Sequence, residues 1–152
     1  MRLRTDLNWA CGADENDYYL RMTDQDDLLF LSHLRAHGCD CALRRERSKE
    51  ALAAEPGRAA GRVAGWALGR TLDHLQRFGR RGWSVSDSIV PTAQEHRLIQ
   101  VIRALAAYDY EGAKQAALWL VPEREVAALL DRAAPLTVFY APRGEGRRAA
   151  QA

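Results

Sequence analysis

The stretch 57-GRAAGRVAGWALGRTL-72 places Gly57, Gly61, Gly65 and Gly69 at strict four-residue intervals. Each glycine is followed by a large polarisable residue, namely Arg58, Arg62, Trp66 and Arg70. At about 100° per residue, positions four apart form stripes that drift slowly around a helix. One stripe is bare backbone, the next is Arg-Arg-Trp-Arg, and a third runs Ala60, Ala64, Leu68, Leu72. Glycine inside a helix costs about 1 kcal/mol relative to alanine, so Gly61, Gly65 and Gly69 together cost roughly 2–3 kcal/mol. Close approach of a second backbone offsets such a cost, either by small-xxx-small helix packing or by a ligand. Packing, within the chain or between copies, is the favoured expectation.

Leu68, Leu72, Leu75 and Phe78 complete a helical apolar arc, which predicts one helix over 58–78. With Arg58 at zero, Arg62 falls near 40°, Trp66 near 80°, Arg77 near 100° and Arg70 near 120°. Leu68, Leu72 and Leu75 fall near 260–320°, on the opposite side. Trp66 therefore belongs to a cationic face, where arginines one turn away can make cation–π contacts. Arg58, Arg62, Trp66, Arg70 and Arg77 are the candidate binding residues, because arginine and tryptophan dominate interface hot spots.

Outward from this helix the pattern is helical on both sides. Thr23 offers an N-cap to a helix over 24–37, with Asp24, Asp26 and Asp27 in its first turn and Gly38 as its stop. A helix over 42–54 ends at Glu55-Pro56-Gly57. Thr92-Ala-Gln-Glu95 is a capping-box signature for a helix to 107, and Tyr108-Asp109-Tyr110 turns the chain into a shorter helix ending near 121. Pro122 suits the first position of a helix over 122–133. Trp119 and Leu118 are expected to anchor the core, with Ala113, Ala116 and Ala117 as small packing surfaces beneath the glycine helix. The stretches 83–90 and 136–140 could each form a minor β segment, the latter alternatively a packed C-terminal piece. The expected architecture is mainly α: one helical bundle of five to six helices over 1–142 and a disordered tail over 143–152.

The 152 residues carry a net charge of +2, but unevenly. Residues 1–34 hold three basic and seven acidic side chains, whereas 35–103 hold thirteen and seven. A basic middle suits an anionic partner, or else the acidic start of the chain docks on it, with residues 1–22 covering Trp66. Arginine outnumbers lysine twenty to two, a bias that a GC-rich genome would also produce. No apolar run approaches the roughly 18 residues of a membrane span, and Asp6, Asp14 and Glu15 interrupt any secretory core. Cys11, Cys39 and Cys41 are odd in number and fit no disulfide framework, which suits a reducing cytoplasm.

The segment from Ser48 to Trp66 resembles, in register, the helix-turn-helix of phage-repressor-type regulators. Leu52 and Ala53 match its first helix, Gly57 its turn, and Val63 and Trp66 the buried side of its recognition helix. Pro56 and Arg58 depart from the pattern. The resemblance implies DNA binding through a face of Ala59, Ala60, Gly61, Arg62, Ala64 and Gly65, and it implies a buried Trp66.

His33, His37, Cys39 and Cys41 lie within nine residues and offer the nitrogen and thiolate ligands that zinc prefers. Zinc is the one cofactor this sequence suggests, although Cys-x-Cys lacks the gap of common zinc knuckles. Nucleophiles and bases occur singly (Cys39 or Cys41 with His33 or His37, and Ser84, Ser86 or Ser88 near Asp87) without a nucleophile elbow. Neither an EF-hand nor a phosphate-cradling glycine loop is present. No catalytic residue is assigned.

The sequence thus predicts a small cytoplasmic helical binding protein whose arginine–tryptophan face engages a protein partner or a second copy. Nucleic-acid binding through the same face, or through the helix-turn-helix, is the alternative. A metal-binding sensor or enzyme at His33–Cys41 is the third.

Overall fold

Side-chain capping sets where three of these helices begin. The computed structural model describes residues 24–54, 58–84, 86, 88 and 90–140. Helix α1 spans Gln25–Gly38, and Asp24, one residue beyond the expected cap, accepts from the Asp26 amide at 2.9 Å. Helix α2 spans Ala42–Ala54 and helix α3 spans Arg58–Phe78. Helix α4, Ala93–Ala106, opens with the expected capping box, since Thr92 Oγ1 accepts from the Glu95 amide and the Glu95 carboxylate accepts from the Thr92 amide. Tyr108, at φ 58°, takes the left-handed conformation that closes this helix. Asp109 then caps helix α5, Tyr110–Leu120. Pro122 stands at the N-cap of helix α6, Glu123–Ala133, not at its first turn. The 134–140 segment is a 3-10 helix, Ala134–Tyr140, and not a strand. Among the described residues no strand forms, in 83–90 or elsewhere.

The mainly α expectation therefore holds, with six α-helices among the described residues. Phe30, Leu34, Leu68, Leu75, Leu98, Ile102, Leu129 and Leu136 are buried at the centre. Helix α3 packs chiefly against α2, α6 and the 3-10 helix, while α5 packs on α4 and α6. The glycine edge thus faces α2, not the alanine-rich α5. At Gly61 an added Cβ would overlap the backbone carbonyl of Leu52, so close helix approach is the reason for that glycine. Among the described residues, a Cβ at Gly65 would meet the Leu52 side chain at ordinary contact, and one at Gly69 would meet nothing. Trp119 is not a core anchor: its side chain is 55% exposed, beneath the Arg97 guanidinium.

Two buried carboxylates tie the layers together. Glu95 takes two hydrogen bonds from Arg35, at 3.1 and 2.9 Å, which bind α4 to α1. Asp27 accepts from Arg103 Nε at 3.0 Å and from the Tyr140 hydroxyl at 2.7 Å, joining α1, α4 and the 3-10 helix. Burial, reinforced by the bond to Asp27, pushes the Tyr140 phenol well above its ordinary range. The readings that concern residues 1–23 (the Thr23 cap and the docking of the acidic start), the Gly57 turn and the tail over 143–152 fall outside the described residues. Among the described residues no helix is long and apolar enough to cross a membrane.

Candidate binding face on helix α3

Helical periodicity puts Trp66, Arg70, His74 and Phe78 four residues apart on one side of α3, with Asp73 and Arg77 beside them. Trp66 is 59% exposed, so the indole is on the surface opposite the leucine arc, as the wheel requires. The Arg70 guanidinium carbon lies 4.4 Å from the centre of its ring system, a cation–π stack of helical neighbours. Arg62 and Arg77 are exposed on the same helix, while the side chain of Arg58 lies outside the described residues.

One turn along, the face becomes concave. Arg70, Asp73, His74, Arg77 and Phe78 of α3, with Arg132 of α6, line a mostly polar cleft of about 160 Å³. That is well above the roughly 10–15 Å³ a single water needs. Among the described residues none of the three arginines forms an ion pair with a carboxylate. Asp73 on the cleft wall is the one carboxylate among the described lining residues, and Glu125 stands behind His74.

His74 is the buried member, at 2% exposure. Arg132 hydrogen-bonds its Nδ1. A guanidinium can only donate, so Nδ1 accepts and the imidazole proton sits on Nε2. Nε2 stands 3.5 Å from Glu125 Oε2 without making a hydrogen bond. Burial, and then the Arg132 charge, hold His74 below its ordinary value against the opposing pull of Glu125. A neutral His74 therefore fixes where Arg132 points. Phe78 packs against the same ring, with centroids 4.9 Å apart, and is 39% exposed, so it is a cleft residue and not the end of the apolar arc.

The other candidate sites separate differently. Val63 and Trp66, which the helix-turn-helix resemblance would bury, are 46% and 59% exposed, while Leu52 is buried as that pattern asks. His33, His37, Cys39 and Cys41 do not gather: among the described residues no group of three or more candidate ligands could hold a metal ion. The two imidazoles turn instead to Ser48 on α2. One donor assignment satisfies all three contacts: His37 Nδ1 donates to the His33 carbonyl at 3.0 Å and to Ser48 Oγ at 3.3 Å, and the Ser48 hydroxyl donates to His33 Nδ1 at 2.6 Å. Ser48 is 6% exposed, so this serine–histidine contact fastens α1 to α2 inside the fold. Cys39 and Cys41 carry free thiols, and the Cys39 Sγ contacts the Ala36 carbonyl at 3.2 Å.

Of the wheel residues, Arg70 and Arg77 line the cleft and Trp66 lies beside it under Arg70, while the wheel did not name His74, Phe78 or Arg132. His74 and Phe78 were legible as the continuation of the four-residue spacing from Trp66 and Arg70. Arg132 carried no such signal, because it comes from another helix. Comparison of the chain with protein-family models, with curated proteins and with solved structures gives no match.

Proposed function

We propose that this chain is a binding protein that engages an acidic partner protein through the α3 face, with Trp66 as the apolar anchor and Arg70, Arg77 and Arg132 receiving anionic groups. One observation carries the reading: three guanidiniums that have no carboxylate partner among the described residues line a single cleft next to an exposed indole already stacked by one of them. Clustered arginines beside an exposed tryptophan are the composition of an interface hot spot. Free thiols at Cys39 and Cys41 suit a reducing cytoplasm for this role.

Single-stranded nucleic acid is the second reading, favoured by the same exposed indole as a stacking platform. Arg70 already lies over one ring face, so a base has at most the other.

The deciding experiment titrates the chain with acidic peptides and, separately, with single- and double-stranded oligonucleotides at low and moderate salt. Tryptophan fluorescence is the signal, and the mass of the same sample reports self-association. Peptide binding that disappears in Trp66→Ala and Arg70→Ala is the expected result. Oligonucleotide binding alone, collapsing with salt, would replace the protein-partner reading with the second one.

A further inference from the structure

We propose that the Arg70–Arg77–Arg132 cleft is a phosphomonoester site, so that the acidic partner presents a phosphorylated side chain to it. This inference rests on the protein-partner reading above and names the group that the face recognises.

The chemistry of the lining distinguishes among anions. A carboxylate offers two oxygens and one negative charge, which one arginine fork satisfies. A phosphomonoester carries a charge near −1.5 to −2 at neutral pH and three free oxygens. Three planar guanidiniums, each with a rigid set of donors, match three oxygens and a dianion. The cleft walls supply Arg70, Arg77 and Arg132 against a single carboxylate, Asp73, and none of the arginines is spent on an ion pair among the described residues.

The site is also built, in that Arg132 does not swing freely. It is held by the imidazole Nδ1 of His74, a side chain 98% removed from solvent and packed on Phe78. A buried acceptor that orients a partly exposed arginine is a device for aiming a guanidinium, not for solvating one. The cleft faces a nucleic-acid backbone poorly by comparison. A phosphodiester has one charge and two free oxygens, and a strand asks for cations along a track. Here the arginines are gathered at one concavity formed by α3 and α6.

The inference is tested by calorimetric titration of the full chain with phenyl phosphate, its methyl diester and phenylacetate, then with one acidic peptide in serine, phosphoserine and glutamate forms. The expected result is saturable binding of phenyl phosphate and the phosphoserine peptide, at least about tenfold tighter than the carboxylate probes. Arg132→Lys and Arg77→Gln should each weaken it about tenfold, with unchanged helical circular dichroism to show an intact fold. Lys114→Ala, an exposed cation on α5 outside the cleft, should leave phenyl phosphate binding unchanged. Equal binding of the glutamate and phosphoserine peptides would overturn the phosphoryl inference and leave the acidic-partner reading standing. Tight binding of oligonucleotides with no binding of phenyl phosphate would overturn both, and so would the failure of every anion to bind. Phosphoserine-peptide binding insensitive to both cleft variants would place the phosphate elsewhere and overturn the site.

Discussion

Gly61 of α3 lies so close to Leu52 of α2 that no side chain fits between the helix and the Leu52 carbonyl oxygen. The other described members of the glycine series do not share this relation. Among the described residues nothing lies within 4 Å of where a Gly69 Cβ would be. Gly69→Ala should therefore stabilise the chain by about 1 kcal/mol through helix propensity alone. Gly61→Ala should destabilise it by roughly 2 kcal/mol or more, because two backbones must separate. Denaturant midpoints of the two variants check both signs, and equal effects would refute the packing account.

Thr71 is completely buried on α3, and its hydroxyl has no hydrogen-bond partner among the described residues. Removing an unsatisfied buried hydroxyl without changing the side-chain shape relieves its desolvation cost. Thr71→Val is expected to raise stability by about 1 kcal/mol in urea unfolding.

Glu95 contributes to the capping box and to the Arg35 pair at once, while 1% exposed. Glu95→Gln retains an acceptor for the Thr92 amide but removes the charge that Arg35 pairs with. A loss of roughly 2–4 kcal/mol is expected, since the Arg35 guanidinium, bonded also to the carbonyls of Ser88 and Val90, loses its buried counter-charge. Thermal unfolding of the single variants and of Arg35→Met/Glu95→Leu together separates the cost of an orphaned charge from the worth of the pair.

His37 and His74 are both held below 6.5, first by burial. Lys49 and Arg45 add to this at His37 and Arg132 at His74, against Glu46 and Glu125 respectively. Both rings are neutral in folded and unfolded chains above that value. As pH falls below 6.5 the unfolded chain takes up protons first, so stability declines toward the lower folded-state values. Protonation of His74 also removes the acceptor that holds Arg132. Chemical denaturation between pH 7.5 and 5 should show this decline, reduced in His74→Gln.

Trp66→Ala should cost little stability, because the indole is more than half exposed, yet abolish partner binding. Unfolding and peptide titration on the same preparation test the two halves. A large stability loss would make Trp66 a structural residue.

Much of this molecule is legible in its sequence. The capping box at Thr92 and Glu95, the leucine arc of α3 and the placement of Trp66 and Arg70 opposite it follow from local rules, because capping and helical periodicity involve residues within four positions. Those same rules erred where a neighbouring element decided the outcome. Trp119 looked like a core side chain but lies outside beneath Arg97, and of the two readings of 136–140 the strand fails while the packed segment holds, as a 3-10 helix against α3, α4 and α6. His33 and His37 have a ligand-like spacing, yet their hydrogen bonds were settled by Ser48 arriving from α2.

The sequence by itself determined the helices, their apolar sides and an arginine–tryptophan face on α3. Only the tertiary structure decided which glycine was needed, because Leu52 approaches one of them, and where the arginines converge, because Arg132 reaches the cleft from α6. Helical periodicity is a property of residues a few positions apart. The concavity, the buried histidine and its bond to Arg132 depend on how two helices 58 residues apart in sequence pack together, and that is fixed by the whole core.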